Sequence, residues 1–166
     1  MAKRQTQITT INGQRVRLVT ANGKVTIKQA PVQEWRMQAS QVRALRAMPE
    51  YGRQFLLVGG MEAGRRGPQE RTRSLATGLT AGHPDLTILL PHGRCGLIEN
   101  KGAEGRLSAE QKDRHAALAR IGHHVVVIKA SSEAEAAERA VAVVRGWLAA
   151  NDDDHTDHAG LSENMS

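Results

Sequence analysis

Between residues 85 and 130 the chain alternates apolar runs with punctuation, at spacings that leave few folds open. "DLTILL" is one apolar run, "PHGRCG" a short connection and "LIENK" a second run. So short a connection predicts that the two runs pair as antiparallel strands. In "SAEQKDRHAALARIG", Ser108 with Gln111 three residues on is a capping-box signature, and Gly122 stands where a helix C′ residue belongs. "VVVIK" is then near-continuously apolar, as in a strand buried on both faces. Ser131 or Ser132 is placed to cap a last helix, "EAEAAERAVAVVRGWLAA". An antiparallel pair followed by helix, strand and helix predicts an α/β fold: a mixed sheet with helices packed on it.

The upstream part fits the same plan. Asn12-Gly13 and Asn22-Gly23 are type I′ turn signals between alternating segments, so residues 1–30 read as a β-meander of about three strands. Trp35, Ala39, Val42 and Leu45 recur at helical spacing, which predicts an amphipathic helix over 32–48, stopped by Pro49. "QFLLVGG" reads as a buried strand, 61–84 as a Gly- and Arg-rich loop, and Pro68 as the start of a short helix to about Thr77. The chain therefore divides into a basic meander over 1–30, one domain over 31–150 and an acidic tail over 151–166 expected to be disordered.

Charge is unevenly spread. Residues 1–75 hold 14 Lys/Arg against 4 Asp/Glu, whereas 76–166 hold 9 against 13. A basic half points to a polyanionic partner, because phosphate neutralisation drives most nucleic-acid affinity. Arg15 and Arg17 in the meander, and Arg65, Arg66, Arg71 and Arg73 in the loop, are the candidate phosphate contacts. Aromatic residues are few, against a protein that stacks single-stranded bases on exposed rings. Cys95 is the single cysteine, so no intrachain disulfide forms, which suits a reducing compartment. The first residues show no signal-peptide pattern, and no apolar stretch is long enough to span a membrane.

Against this background Asp85, Glu99 and Lys101 stand out. Side chains alternate across a strand, so Glu99 and Lys101 point to one face. Folding the first run back on the second brings Asp85, at the start of its strand, towards Glu99. Two carboxylates with a backbone carbonyl suit Mg²⁺ or Mn²⁺, hard cations that take oxygen ligands and keep several waters. Such an ion lowers the pKa of a water that can attack phosphorus, and a lysine beside it can orient that water or stabilise phosphate charge. A solvated Glu–Lys pair on an exposed strand face is the alternative. Elsewhere, His92-x-x-Cys95 lacks a second ligand pair for zinc, and neither a G-x-S-x-G nor a P-loop is present.

The block "GLTAGHPDLTILL…GLIENKGAEGRLSAEQKDRHAALARIGHHVVVIKA" resembles the VRR-NUC branch of the PD-(D/E)xK nucleases. Its elements are Gly82, Pro84, Asp85, Glu99, Lys101, Arg106, Ser108, Gln111, Gly122 and the strand 125–128, in order. The resemblance covers about 31–148 and is most specific over 78–129. It implies a restriction-endonuclease-like fold and DNA endonuclease activity. It further implies Asp85, Glu99 and the Asn100 carbonyl as metal ligands, Lys101 and Gln111 as catalytic groups, and Glu34 acting on the metal through water. Glu34 reads equally as a helix first-turn charge, and Gln111 as half of a capping box. Arg106 belongs to the implied DNA surface. Many relatives carry an Asn-Gly pair before the PD; here "VGGMEAGRRG" has no asparagine, and Arg65 and Arg66 are what that loop offers DNA. Small stand-alone members look like phage proteins, which implies a cytoplasmic phage or prophage protein working as a homodimer on Holliday junctions or other branched DNA. Two alternatives stay open: a nuclease acting on plain or nicked duplex in replication or repair, and a non-catalytic DNA-binding subunit that kept the fold.

Overall fold

A computed structural model describes residues 4–59, 80 and 82–156. The meander forms as read: β1 (Gln5–Ile11), β2 (Gln14–Ala21) and β3 (Lys24–Gln29) make an antiparallel sheet in that order. Both tight turns have positive φ at Asn and Gly, 48° and 77° at Asn12 and Gly13, 50° and 73° at Asn22 and Gly23. This is the left-handed pair that a type I′ turn demands and that Asn-Gly accepts at least cost.

The second unit is a four-stranded mixed sheet, β4 (Leu56–Gly59), β5 (Leu86–Leu89), β6 (Cys95–Gly102) and β7 (Val125–Ala130), in spatial order β4-β5-β6-β7. The first two pairings are antiparallel and β6–β7 is parallel. That parallel pair needs a crossover, which α2 (Ala109–Arg120) supplies. Helices α1 (Glu34–Arg46) and α3 (Glu133–Thr156) pack together on the opposite sheet face. Leu45 from α1 and Ala140, Val144 and Leu148 from α3 meet Leu86, Ile88, Ile98 and Ile128 from the sheet in one apolar core. Each such fully buried large side chain stabilises the fold by about 1.5–3 kcal/mol. Gly96 is required in this packing: a Cβ there would lie 2.2 Å from the Trp147 ring.

Four expectations change. The buried stripe of α1 runs through Met37, Ser40, Gln41 and Leu45, and Trp35 is 59% exposed with the Arg36 guanidinium over its ring. β4 is an edge strand with Leu56 and Val58 exposed, and β7 is the other edge, half-buried rather than enclosed. Apolarity reports what a strand avoids, not how many neighbours it has. The last helix runs on to Thr156, past the expected boundary at 150, because extending a formed helix costs far less than nucleating one. The short helix expected from Pro68 lies outside the described residues, as does the tail from 157. No helix among the described residues is long and apolar enough to cross a membrane.

Candidate active site

The site sits where β5 begins and β6 ends. Leu86 pairs with Ile98, so one step earlier Asp85 lies opposite Glu99 on the sheet face that carries Leu97 and Lys101. All three charged groups are buried: Asp85 is 4% exposed, Glu99 0% and Lys101 5%. The Asn100 backbone N–H donates to Asp85 Oδ2 at 2.6 Å and fixes that carboxylate's orientation. Lys101 Nζ lies 2.8 Å from Glu99 Oε1 and 3.3 Å from Glu34 Oε1. Gln111, on the first turn of α2, donates its side-chain amide to Glu99 Oε1.

The framework around these groups is built from local rules. Ser108 Oγ accepts from the Gln111 backbone N–H, and the Gln111 side-chain carbonyl accepts from the Ser108 N–H. The capping box and the contact with Glu99 therefore use opposite ends of one amide, so both readings of Gln111 hold together. Gly82, with φ +74°, packs so closely on the first turn of α2 that a Cβ would lie 2.6 Å from the Glu110 carbonyl oxygen. This holds the 82–85 approach against the helix that presents Gln111. Gln38, one turn after Glu34, donates to the Asp85 carbonyl at 2.9 Å. On the other sheet face Gln41 and Asn100 exchange two amide hydrogen bonds, 2.7 and 2.9 Å, inside the core. That closed pair satisfies two buried amides and locks the backbone at Asn100, between Glu99 and Lys101.

Burial alone pushes Lys101 down. The hydrogen bond and charge of Glu99, then those of Glu34, outweigh it and hold the ammonium above the ordinary lysine range. Lys101 is thus a fixed positive charge at neutral pH. His115, one turn beyond Gln111, is shifted down by its own burial and by Lys101, and its Nε2 is buried without a hydrogen-bond partner among the described residues. His83 is likewise shifted down, by burial and by Arg114. The sequence reading missed His115, Gln41 and the role of Gln38. His115 was findable from its i+4 relation to Gln111; the Gln41–Asn100 pair carries no local signal.

The candidate metal ligands divide. Asp85 and Glu99 converge as expected, but Glu34 is engaged with Lys101. Among the described residues no group of three or more His, Cys, Asp or Glu side chains is gathered for a metal ion. What remains is a two-carboxylate oxygen set, which fits an ion of the Mg²⁺ type that retains much of its water and not a fully caged one. Asp85, Glu99 and Glu34 at this end of the sheet, with one ammonium bridging two of them, also leave an excess of negative charge suited to a cation.

Of the candidate phosphate contacts, Arg15 and Arg17 lie on one face of β2, and Arg17 reaches Glu104 at 3.5 Å in the turn after β6. Arg106 is exposed between that turn and α2. Arg65, Arg66, Arg71 and Arg73 lie outside the described residues. No family model, curated protein or solved structure matches this chain.

Proposed function

We propose that the protein is a divalent-metal-dependent DNA endonuclease, a restriction-endonuclease-like member of the VRR-NUC branch. The observation that carries this reading is the burial of Asp85, Glu99 and Lys101 on one face of adjacent strands. Buried charge is expensive, and apolar replacements of similar volume are often as stable or more so. A scaffold has no use for this trio, whereas phosphodiester hydrolysis uses each member.

Asp85 and Glu99, with the Asn100 carbonyl, are the groups that would hold Mg²⁺ or Mn²⁺, and Glu34 would act through water. When bound, the ion supplies positive charge to the phosphate and makes water a stronger nucleophile. The rest falls to the chain. The Asn100 N–H and the Gln111 amide hold the two carboxylates in place, so little reorganisation is needed as charge develops. Lys101 presents a permanent ammonium to a phosphate oxygen. Gln111, already against Glu99, lies within reach of the same phosphate.

The finer reading is a homodimer that makes paired nicks in a four-way junction, since one cluster per chain calls for two subunits to cut two strands. The test incubates labelled four-way, flap, duplex and single-stranded DNAs with Mn²⁺, Mg²⁺ or EDTA. Cleavage with either metal and none in EDTA is expected, with the four-way junction preferred. Equal cutting of plain duplex by a protein that light scattering shows to be monomeric removes the junction reading and keeps the nuclease. Binding without cleavage on every substrate favours the non-catalytic subunit.

A further inference from the structure

The meander gathers its basic side chains on one face, beside Ile8 and the buried Val19. Residues 4–33 contain no Asp or Glu. The register pairs Arg17 with Lys28 across β2–β3, places Arg15 two residues along the same strand, and pairs Ala21 with Lys24. Gln5 pairs with Thr20, so Arg4 falls opposite Ala21 one step on. Because side chains alternate along a strand and directly opposed residues share a face, Arg4, Arg15, Arg17, Lys24 and Lys28 all project from one face. The other face carries Val16, Leu18, Val25 and Ile27 among Gln and Thr side chains.

The basic face is placed beside the site. The turn after β6 folds back onto Lys101: the Gly105 N–H donates to the Gly102 carbonyl at 2.7 Å, and a Cβ on Gly105 would lie 3.2 Å from Lys101 Cβ. Glu104 sits on that turn, and Arg17 contacts it. The basic face therefore begins one short turn from Lys101. At about 3.4 Å per residue, Arg17 and the Lys24 row are four positions and so roughly 14 Å apart along β2, which makes the basic face a row of charges and not a single point. No aromatic side chain occurs in the meander, so nothing on it can stack an unpaired base.

We propose that this face is a phosphate-tracking surface that grips a duplex arm beside the phosphodiester to be cut, and that the substrate must carry double-stranded DNA there. The proposal deepens the nuclease reading and rests on it for the position of the cut, but gripping can be measured without cleavage. Two variants with the same change in net charge test it: Lys24→Gln with Lys28→Gln on the basic face, and Gln7→Glu with Gln29→Glu on the opposite face. Binding to a labelled 30-base-pair duplex and to its single strand is followed by anisotropy in EDTA across a salt series. The basic-face pair should weaken duplex binding by about tenfold and flatten the log–log salt slope by about two. The opposite-face pair should change binding less than about twofold, and the single strand should be bound less tightly and be less affected.

Equal losses for the two pairs, or none for the basic-face pair, overturn the proposal. So does a greater loss on the single strand than on the duplex. Circular dichroism confirms that both variants keep their sheet. If face-dependent duplex binding persists while no DNA is cut in Mn²⁺, the nuclease reading fails and this one stands. If the basic-face pair binds and cuts like wild type, the reverse holds.

Discussion

The end of β6 and the meander both concentrate charge, and they do so in opposite ways. At the end of β6, Asp85, Glu99 and Lys101 are buried and bonded to one another or to the backbone. On the meander, Lys24 and Lys28 are exposed, and the described contacts of the basic face include a single ion pair, Arg17 to Glu104. Buried charges are costly and geometrically fixed, which is what reacting groups need. Exposed like charges are cheap and mobile, which suits a polyanion that arrives along varied paths. On the proposed reading the first region does the chemistry and the second the gripping, and each should be alterable alone.

The largest expected effect lies in the buried region. Asp85→Asn or Glu99→Gln should lower single-turnover cleavage by about three orders of magnitude or more, since several kcal/mol of charge stabilisation leaves with the metal. Duplex binding in EDTA should stay near wild type. A parallel loss of binding would show that the two regions are not separable.

Next comes Lys101→Met, which keeps the stem and removes the ammonium. Cleavage should fall by about a hundredfold or more, while Mn²⁺ binding survives. The raised pKa adds a check by pH. The ammonium's contribution to stability is complete below the ordinary lysine value of about 10.4 and is lost only as pH rises through the higher folded value. Wild type should lose stability above that range more steeply than Lys101→Met in alkaline urea melts.

The Gln41–Asn100 pair sharpens the contrast through stability alone. Asn100→Ala strands a buried amide and should cost about 1–3 kcal/mol in urea unfolding, whereas Gln41→Leu with Asn100→Leu should cost less than the single change. The meander's Lys24→Gln should stay within about 0.5 kcal/mol of wild type. A similar cost at both places would mean that burial does not distinguish them.

The smallest effect is expected from His115 and His83. Both are shifted down, so the folded state resists their protonation and stability should decline as pH falls below 6.5. His115→Phe should flatten part of that decline. An unchanged profile would detach His115 from the site.

Much of this was legible in the sequence because its signals are local. Asn-Gly turns and the Ser108–Gln111 box depend on neighbours within a few residues, and the strand pair that brings Asp85 to Glu99 on one short connection. Errors arose where the deciding partner is remote. Gln41 is polar and the helical spacing of apolar residues passes it by, yet it bonds Asn100, 59 residues on, inside the core, while Trp35 stands exposed. β4 and β7 are apolar enough to be central, but their position at the sheet edges follows from pairing order, which no single strand encodes. The resemblance implies Glu34 acting on the metal through water and leaves its contact with Lys101 unread, because that contact depends on how α1 lies across the sheet.

The central claim is that buried Asp85 and Glu99 exist to hold a divalent ion, and Mn²⁺ binding measured by electron paramagnetic resonance tests it most directly. Wild type with uncleavable duplex should take up Mn²⁺, and Glu99→Gln, shown by circular dichroism to be folded, should lose that uptake. Mn²⁺ uptake unchanged in Glu99→Gln, or absent from wild type at millimolar metal with duplex present, would contradict the claim.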